Sequence, residues 1–187
     1  QGEDPAVLYD ISGNGHHGTI YGATWTAEGL QFDGTNDYVN LGDLGSLGDG
    51  YTIVAVTKAH TDHHGALLNR ISSTTSGASS GKGLLLQKEP TADQWSMRQY
   101  EDSELSRLRL SLQTSPGSTN RWTVLCAQYG DGLLSLSVDD IPPSRATIDT
   151  SFREHTGNYY LGRLTYTSAY YYNGSIAYLA VYDRKLT

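Results

Sequence analysis

Three side-chain oxygens spaced two residues apart near the start of the chain form its strongest candidate metal site. Asp10, Ser12 and Asn14 stand just before Gly15, in the spacing that opens a calcium-binding EF-hand loop. The twelfth position of such a loop should be a bidentate Glu and is Tyr21 here, so the segment is not an EF-hand. The same residues also suit a turn in which Asp and Asn cap backbone N–H groups, and both interpretations stay open.

A second group of oxygen donors occurs at Asp33, Asn36 and Asp37, between two strand-like segments. Turns favour Asp and Asn because their side chains accept hydrogen bonds from nearby backbone N–H groups. We interpret this group as turn capping, with a metal site as the less favoured alternative.

A polar run of His60, Asp62, His63 and His64 follows another strand-like segment and contains metal-ligating side-chain types. Adjacent residues of an extended chain point to opposite sides, which separates His63 from His64. We therefore favour a solvated loop over a zinc site.

No convincing catalytic constellation occurs, and we predict no catalytic residue. Sandwich-shaped glycoside hydrolases of the retaining type need two carboxylates about 5 Å apart, whereas Glu101 and Glu104 would fall on opposite faces of a strand. A Gly-x-Ser-x-Gly nucleophile elbow is also missing from the sequence. Cys126 lies in a strand-like run without a neighbouring His, so we expect a buried and unreactive thiol.

Recognition chemistry is better represented, because sugars stack their C–H faces on aromatic rings and hydrogen-bond to polar side chains. In the predicted strand 94–100, Arg98 and Tyr100 lie on the face opposite Trp95 and Met97. Further tyrosines cluster in or beside a predicted loop: Tyr166, Tyr170, Tyr171 and Tyr172. We predict that Arg98, Tyr100 and these loop tyrosines contact a glycan. The alternative is that the loop tyrosines cover the edge of the fold.

The composition indicates that strands and turns position these groups. The 187 residues include 21 Gly and 14 Tyr but only 1 Met, a balance that favours strands and turns over helices. The length suits a single domain, 1–187. A formal charge of −7, with Lys and Arg scattered, argues against a nucleic-acid partner. No apolar run is long enough to insert into a membrane.

Alternation and turn signals predict individual strands. In the last one, Ile176 and Tyr178 fall on one face and Ala177 and Leu179 on the other, so we expect a central strand covered on both sides. Segment 101–113 fits a helix or a strand, and its strand-rich surroundings favour a strand. The pair at 142–143, Pro-Pro, should end the strand before it.

Five motifs, taken in order, give the chain a resemblance to a known family. They include D-x-S-G-N-G at 10–15, L-x-F-D-G at 30–34 and V-Y-D-R at 181–184, together with a Trp-led strand at 122–125 and a hairpin at 136–140. This series resembles the laminin-G-like, concanavalin A-like jelly-roll domains of bacterial and phage extracellular proteins. At the hairpin, Asp140 replaces the Gly that the family usually has.

The resemblance implies an all-β, two-sheet antiparallel jelly roll. It also implies a secreted or cell-surface carbohydrate-binding or adhesive module without catalysis, tethered to other domains of a longer chain. It raises the expectation of one structural calcium at Asp10, Ser12 and Asn14. The alternatives are a jelly-roll polysaccharide lyase or glycoside hydrolase, and a structural or protein-binding module.

Overall fold

The computed structural model describes residues 4–73, 81–90, 94–100, 107–113, 119–147, 157–165 and 170–187, and gives the backbone alone for 71–73, 81–82, 100 and 107–113. Within these ranges the chain forms strands and no helix. The strands are β1 Val7–Leu8, β2 Gly18–Tyr21, β3 Thr24–Thr26, β4 Gly29–Asp33, β5 Tyr38–Gly42, β6 Tyr51–Ala59, β7 Gly65–Ser73, β8 Gly81–Lys88, β9 Gln94–Tyr100, β10 Arg107–Gln113, β11 Trp122–Gly130, β12 Leu133–Val138, β13 Ile141–Thr147, β14 Tyr159–Leu161 and β15 Asn173–Tyr182. In the described part of the chain, nothing forms a helix able to cross a membrane.

The strands build two antiparallel sheets. One has eight strands in the order β1-β2-β5-β14-β7-β8-β9-β10, and the other has seven in the order β13-β12-β11-β6-β15-β4-β3. A single large core lies between them, with Val39, Leu84 and Trp95 from the first sheet meeting Phe32 and Leu125 from the second. The predicted two-sheet jelly roll is confirmed.

The last strand, β15, is central as predicted, since it pairs with β6 on one side and β4 on the other. The predicted division of its faces is wrong. The register shifts between Ile176 and Tyr178, which leaves Ile176 in the core and Tyr178 46% exposed. A β-bulge adds one residue to a strand, so each residue beyond it lies on the face opposite to the one that strict alternation predicts.

Segment 107–113 is strand β10, which confirms the prediction for that part, while 101–106 lies outside the described residues. β12 ends at Val138, before the turn at 139–140, so the prediction that the two prolines end β12 is wrong. The prolines instead stand inside the next strand, β13. This is possible because β13 is an edge strand, where an N–H can be missing without breaking a ladder. Between the two strands, Asp139 takes the left-handed turn conformation, with a φ of 53°.

Candidate functional site

The outer face of the eight-stranded sheet, turned away from the other sheet, carries a row of mostly polar and aromatic side chains. Side chains alternate across a sheet, so the neighbours of core residues such as Val39, Tyr159 and Met97 point outward. The strand register aligns six such positions side by side: Thr19, Asn40, Tyr160, Asn69, Leu85 and Arg98.

The segment after β14 covers the middle of this face. Leu164 and Tyr170 pack on Ala66 and Leu85 of β7 and β8, forming a small second apolar cluster. Asn69, also covered, donates from its side-chain amide to the backbone carbonyl of Arg163. Among the described residues, the outer face is therefore divided into a covered part over β7 and β8 and an open part over β2, β5 and β14.

Beside the covered part, Glu89 gathers polar side chains into what we call the Glu89 cluster: Gln87, Glu89, Ser96, Arg98 and His64. Glu89 is only 3% exposed, and its Oε1 accepts hydrogen bonds from Gln87 Nε2 at 2.8 Å and Arg98 at 2.8 Å. Arg98 does lie on the outer face, as the sequence predicts, but its charge is already paired within the protein.

The polar run at 60–64 disperses around the end of the sandwich. The Nε2 atom of His60 lies 3.2 Å from Ser175 Oγ, whereas Asp62 accepts from Thr119. His64 instead faces Glu89, with 3.8 Å between Nε2 and Oε2. No group of three or more metal-ligating side chains forms among the described residues.

The predicted loop tyrosines have different fates. Tyr172 is 1% exposed, with its hydroxyl 2.6 Å from Thr57 Oγ1, and burial raises the pKa of its phenol. The prediction that Tyr172 contacts a ligand is therefore wrong, because the chain has already entered the core where β15 begins. Tyr170 and Tyr171 are partly exposed, and the ring of Tyr170 lies 4.1 Å from that of His64. Tyr166 and the side chain of Tyr100 lie outside the described part.

The open part of the face carries four residues that sequence reasoning missed, and we call them the aromatic platform: Tyr21, Tyr38, Tyr160 and Arg163. Tyr21 and Tyr38 are register partners on β2 and β5, and their rings stack at 4.5 Å and 14°. The guanidinium carbon of Arg163 lies 4.2 Å from the Tyr38 ring centroid and 4.7 Å from that of Tyr160. The three phenol hydroxyls make no hydrogen bond within the described structure, so they can serve a ligand.

A glycine places Arg163 on the platform. Gly162 follows β14 with a φ of +87°, a conformation that side chains disfavour, and a Cβ there would lie 2.5 Å from the Phe32 ring. Its N–H donates to the carbonyl of Leu67, and its carbonyl accepts from the N–H of Tyr172. These bonds fix the point at which the chain leaves the sheet and turns over the outer face.

The candidate calcium loop is held by its own side chains. The Asp10 carboxylate accepts from the backbone N–H groups of Ser12 at 2.8 Å and His16 at 3.0 Å, while Ser12 Oγ accepts from Asn14 N–H. The hydrogen bond with the Ser12 side chain, followed by the two backbone N–H bonds, lowers the pKa of Asp10 to about 2. One carboxylate and two neutral oxygens fall short of the six to eight oxygens that calcium usually takes, so backbone or water oxygens would have to complete a site.

The turn at 33–37 shows the predicted capping. Asp33 Oδ1 accepts from Thr35 N–H at 2.7 Å, and Asp37 Oδ2 accepts from Asp33 N–H at 2.9 Å. The bond from the Thr35 backbone lowers the pKa of Asp33, whereas burial raises that of Asp37. Both acids stabilise the turn from which β5 carries Tyr38 onto the platform.

Two stacked sheets with a divided outer face define a lectin-like jelly-roll sandwich. A family model described as the concanavalin A-like lectin/glucanases superfamily matches residues 33–187, and the chain belongs to that superfamily. This confirms the resemblance seen in the motifs. No curated protein sequence matches the chain.

Solved structures with the same fold include several that carry sugar ligands. The CBM40 module of the Ruminococcus gnavus IT-sialidase, bound to α2,3-sialyllactose, has a TM-score of 0.67 at 17% identity over 86% of this chain and 91% of its own. The Trypanosoma rangeli sialidase has a TM-score of 0.69 at 14% identity, over 100% of this chain and 30% of its own. The receptor-binding domain of botulinum neurotoxin mosaic serotype C/D has 0.70 at 10%, over 95% and 45%. At such identities the likeness shows the fold alone.

Proposed function

We propose that the chain is a non-catalytic carbohydrate-binding module that holds its glycan on the aromatic platform. The observation that carries the proposal is the stack of Tyr21 on Tyr38 beside Tyr160, on a sheet face where the three hydroxyls have no hydrogen-bond partner among the described residues. Rings of this kind stack on the C–H faces of sugars, while their hydroxyls bond to sugar hydroxyls. The CBM40 module of similar fold, which is bound to sialyllactose, supports the same class of function.

Two of the tyrosines predicted from sequence stay in the proposal as outlying contacts. Tyr170 and Tyr171 are partly exposed, and Tyr170 packs on the covered part of the outer face. Arg98 is better suited to support the Glu89 cluster, because its guanidinium pairs with Glu89 at 2.8 Å. A secreted or cell-surface location and tethering to other domains belong to the proposal as well, since glycan-binding modules act where polysaccharides are.

The test is affinity electrophoresis of the chain against neutral and acidic polysaccharides, with a matched pair of variants. Tyr21→Ala removes a 45% exposed ring from the platform, and Tyr178→Ala removes a 46% exposed ring from the opposite sheet. We expect Tyr21→Ala to weaken binding about tenfold, equivalent to about 1.4 kcal/mol, and Tyr178→Ala to leave it unchanged. Equal losses in both variants, or none in Tyr21→Ala, would refute the placement.

The same gels separate the other function classes. Retention without shortening of the polymer is the expected result for a binding module. Shortened polymer would identify a lyase or hydrolase instead. An absence of retention on every polymer would favour a structural or protein-binding module.

Calcium at Asp10, Ser12 and Asn14 is a separate proposal, supported by three side-chain oxygens on one short loop. Thermal unfolding in calcium and in chelator tests it, with Asp10→Asn as the variant. A calcium-dependent rise in Tm that Asp10→Asn abolishes is expected, and an identical Tm in both conditions would rule out a structural ion there.

A further inference from the structure

Arg163 differs from the other described arginines of its sheet. Its guanidinium lies against two tyrosine rings, and within the described structure it makes no hydrogen bond or ion pair, although its Nε is buried. Arg70 bonds to the hydroxyl of Tyr159 and lies 3.5 Å from Asp43, and Arg98 pairs with Glu89. A guanidinium carries five N–H donors. Because that of Arg163 has no acceptor within the described structure, its N–H groups can donate to the oxygens of a ligand.

We infer that Arg163 binds the anionic group of an acidic sugar, either a carboxylate or a sulfate, whose ring lies on the platform. The inference rests on the proposed function and names the substrate class of the same site. Tyr38 on β5 lies between Tyr21 on β2 and Arg163, which follows β14, and contacts both. A sugar ring on the tyrosines could therefore place its acidic substituent at Arg163.

The local chemistry suits an anion better than a neutral hydroxyl. Arginine forms bidentate, charge-assisted hydrogen bonds with planar oxyanions, and these are about twice as strong as neutral ones. The faces of Tyr38 and Tyr160 attract the cation and hold the planar group in place, which reduces the entropy lost when a ligand binds. Rings and cation together therefore select sugars that carry a negative charge.

The experiment compares each acidic glycan with a neutral counterpart that keeps the same sugar rings. Acidic probes are sialyllactose, an oligogalacturonate and a sulfated galactan, and their neutral counterparts are the methyl ester of sialyllactose, the methyl-esterified oligogalacturonate and the unsulfated galactan. Titration calorimetry with the intact chain should show at least one acidic probe binding about tenfold or more tighter than its counterpart. The carboxylated and sulfated arms identify which oxyanion is preferred.

Variants assign the preference to Arg163. Arg163→Gln should reduce affinity for the acidic probe at least about tenfold and bring it to that of the neutral counterpart, while Arg163→Lys should retain part of the preference. Arg121→Gln, on the opposite sheet, is the matched control and should change nothing, because Arg121 pairs with Asp139. Thermal unfolding verifies that each variant is folded.

Each other result overturns the inference in a distinguishable way. If wild type binds every neutral probe as tightly as its acidic partner, or if Arg163→Gln keeps the preference, the inference fails. If the inference about Arg163 fails but Tyr21→Ala still loses glycan binding, the proposed function stands. If wild type binds none of the probes or polysaccharides, the inference and the proposed function fail together.

Discussion

Substitution of Gly162 by Ala tests the turn that directs the chain from β14 onto the outer face. Two penalties coincide at this position. The φ of +87° lies in the left-handed region, where an L side chain costs about 1–2 kcal/mol. The new Cβ would also lie 2.5 Å from two atoms of the Phe32 ring and 3.2 Å from the Asp37 carbonyl oxygen. Forcing a methyl group into a packed core costs about 1–3 kcal/mol more.

The expected total is a loss of about 2–5 kcal/mol in the free energy of unfolding. For a chain of 187 residues, each 1 kcal/mol shifts Tm by about 2–4 °C, so a loss of about 3 kcal/mol lowers Tm by about 6–12 °C. Because the strain displaces the residue before Arg163, affinity for the glycan should fall as well. Denaturant unfolding at constant m-value gives the first quantity, and titration of the folded variant gives the second.

Gly45→Ala is the matched control, since Gly45 has a φ of +80° but a Cβ added there would have nothing within 4 Å. It isolates the backbone penalty, and we expect a loss of only about 1–2 kcal/mol with unchanged glycan affinity. Equal losses in the two variants would show that Phe32 does not crowd position 162. The account of how Arg163 reaches the platform would then be incorrect.

Three further predictions concern single groups. Tyr172→Phe should lower the free energy of unfolding by about 1 kcal/mol without altering glycan binding, because the lost hydroxyl bonds to Thr57 in the core; urea denaturation and titration test this. The pKa of Asp10 is lowered to about 2, so its carboxylate stabilises the fold above about pH 4 and loses that effect as pH falls through 2. The difference in Tm between wild type and Asp10→Asn should therefore narrow as the pH falls from about 4 to 2, and a constant difference would contradict this prediction. Burial raises the pKa of Cys126, so iodoacetamide should alkylate the folded chain at pH 8 far more slowly than the urea-unfolded one.

The fold was predictable because period-two alternation and turn chemistry act locally. In β9, the sequence alone places Trp95 and Met97 on one face and Ser96 and Arg98 on the other, and the structure has the first pair in the core and the second beside Glu89 on the outer face. Alternation failed where one extra residue entered β15 beyond Ile176. A bulge depends on the register with neighbouring strands, and no residue type near Ile176 predicts one.

The site was less predictable because it is assembled by register between distant strands. Tyr21, Tyr38 and Tyr160 each alternate with a core residue, so their outward orientation could have been inferred one at a time. Their proximity could not, because it requires β14 to pair with β5 across more than a hundred residues of sequence. Arg98 shows the converse problem, since its position was predicted correctly but its pairing with Glu89 was not.

The charge of the chain bears differently on polyanions and on acidic sugars. A net charge of −7 opposes a nucleic acid, which must have many phosphates neutralised by a basic surface. An acidic sugar presents one group to one cation, and at physiological salt the other exposed charges act only within about 8 Å. The contacts around Arg163 therefore outweigh the overall charge for such a ligand. Raising the ionic strength should accordingly weaken the repulsion from distant acids more than it weakens the attraction between Arg163 and the anionic group. Affinity for the acidic probe should therefore depend only weakly on salt.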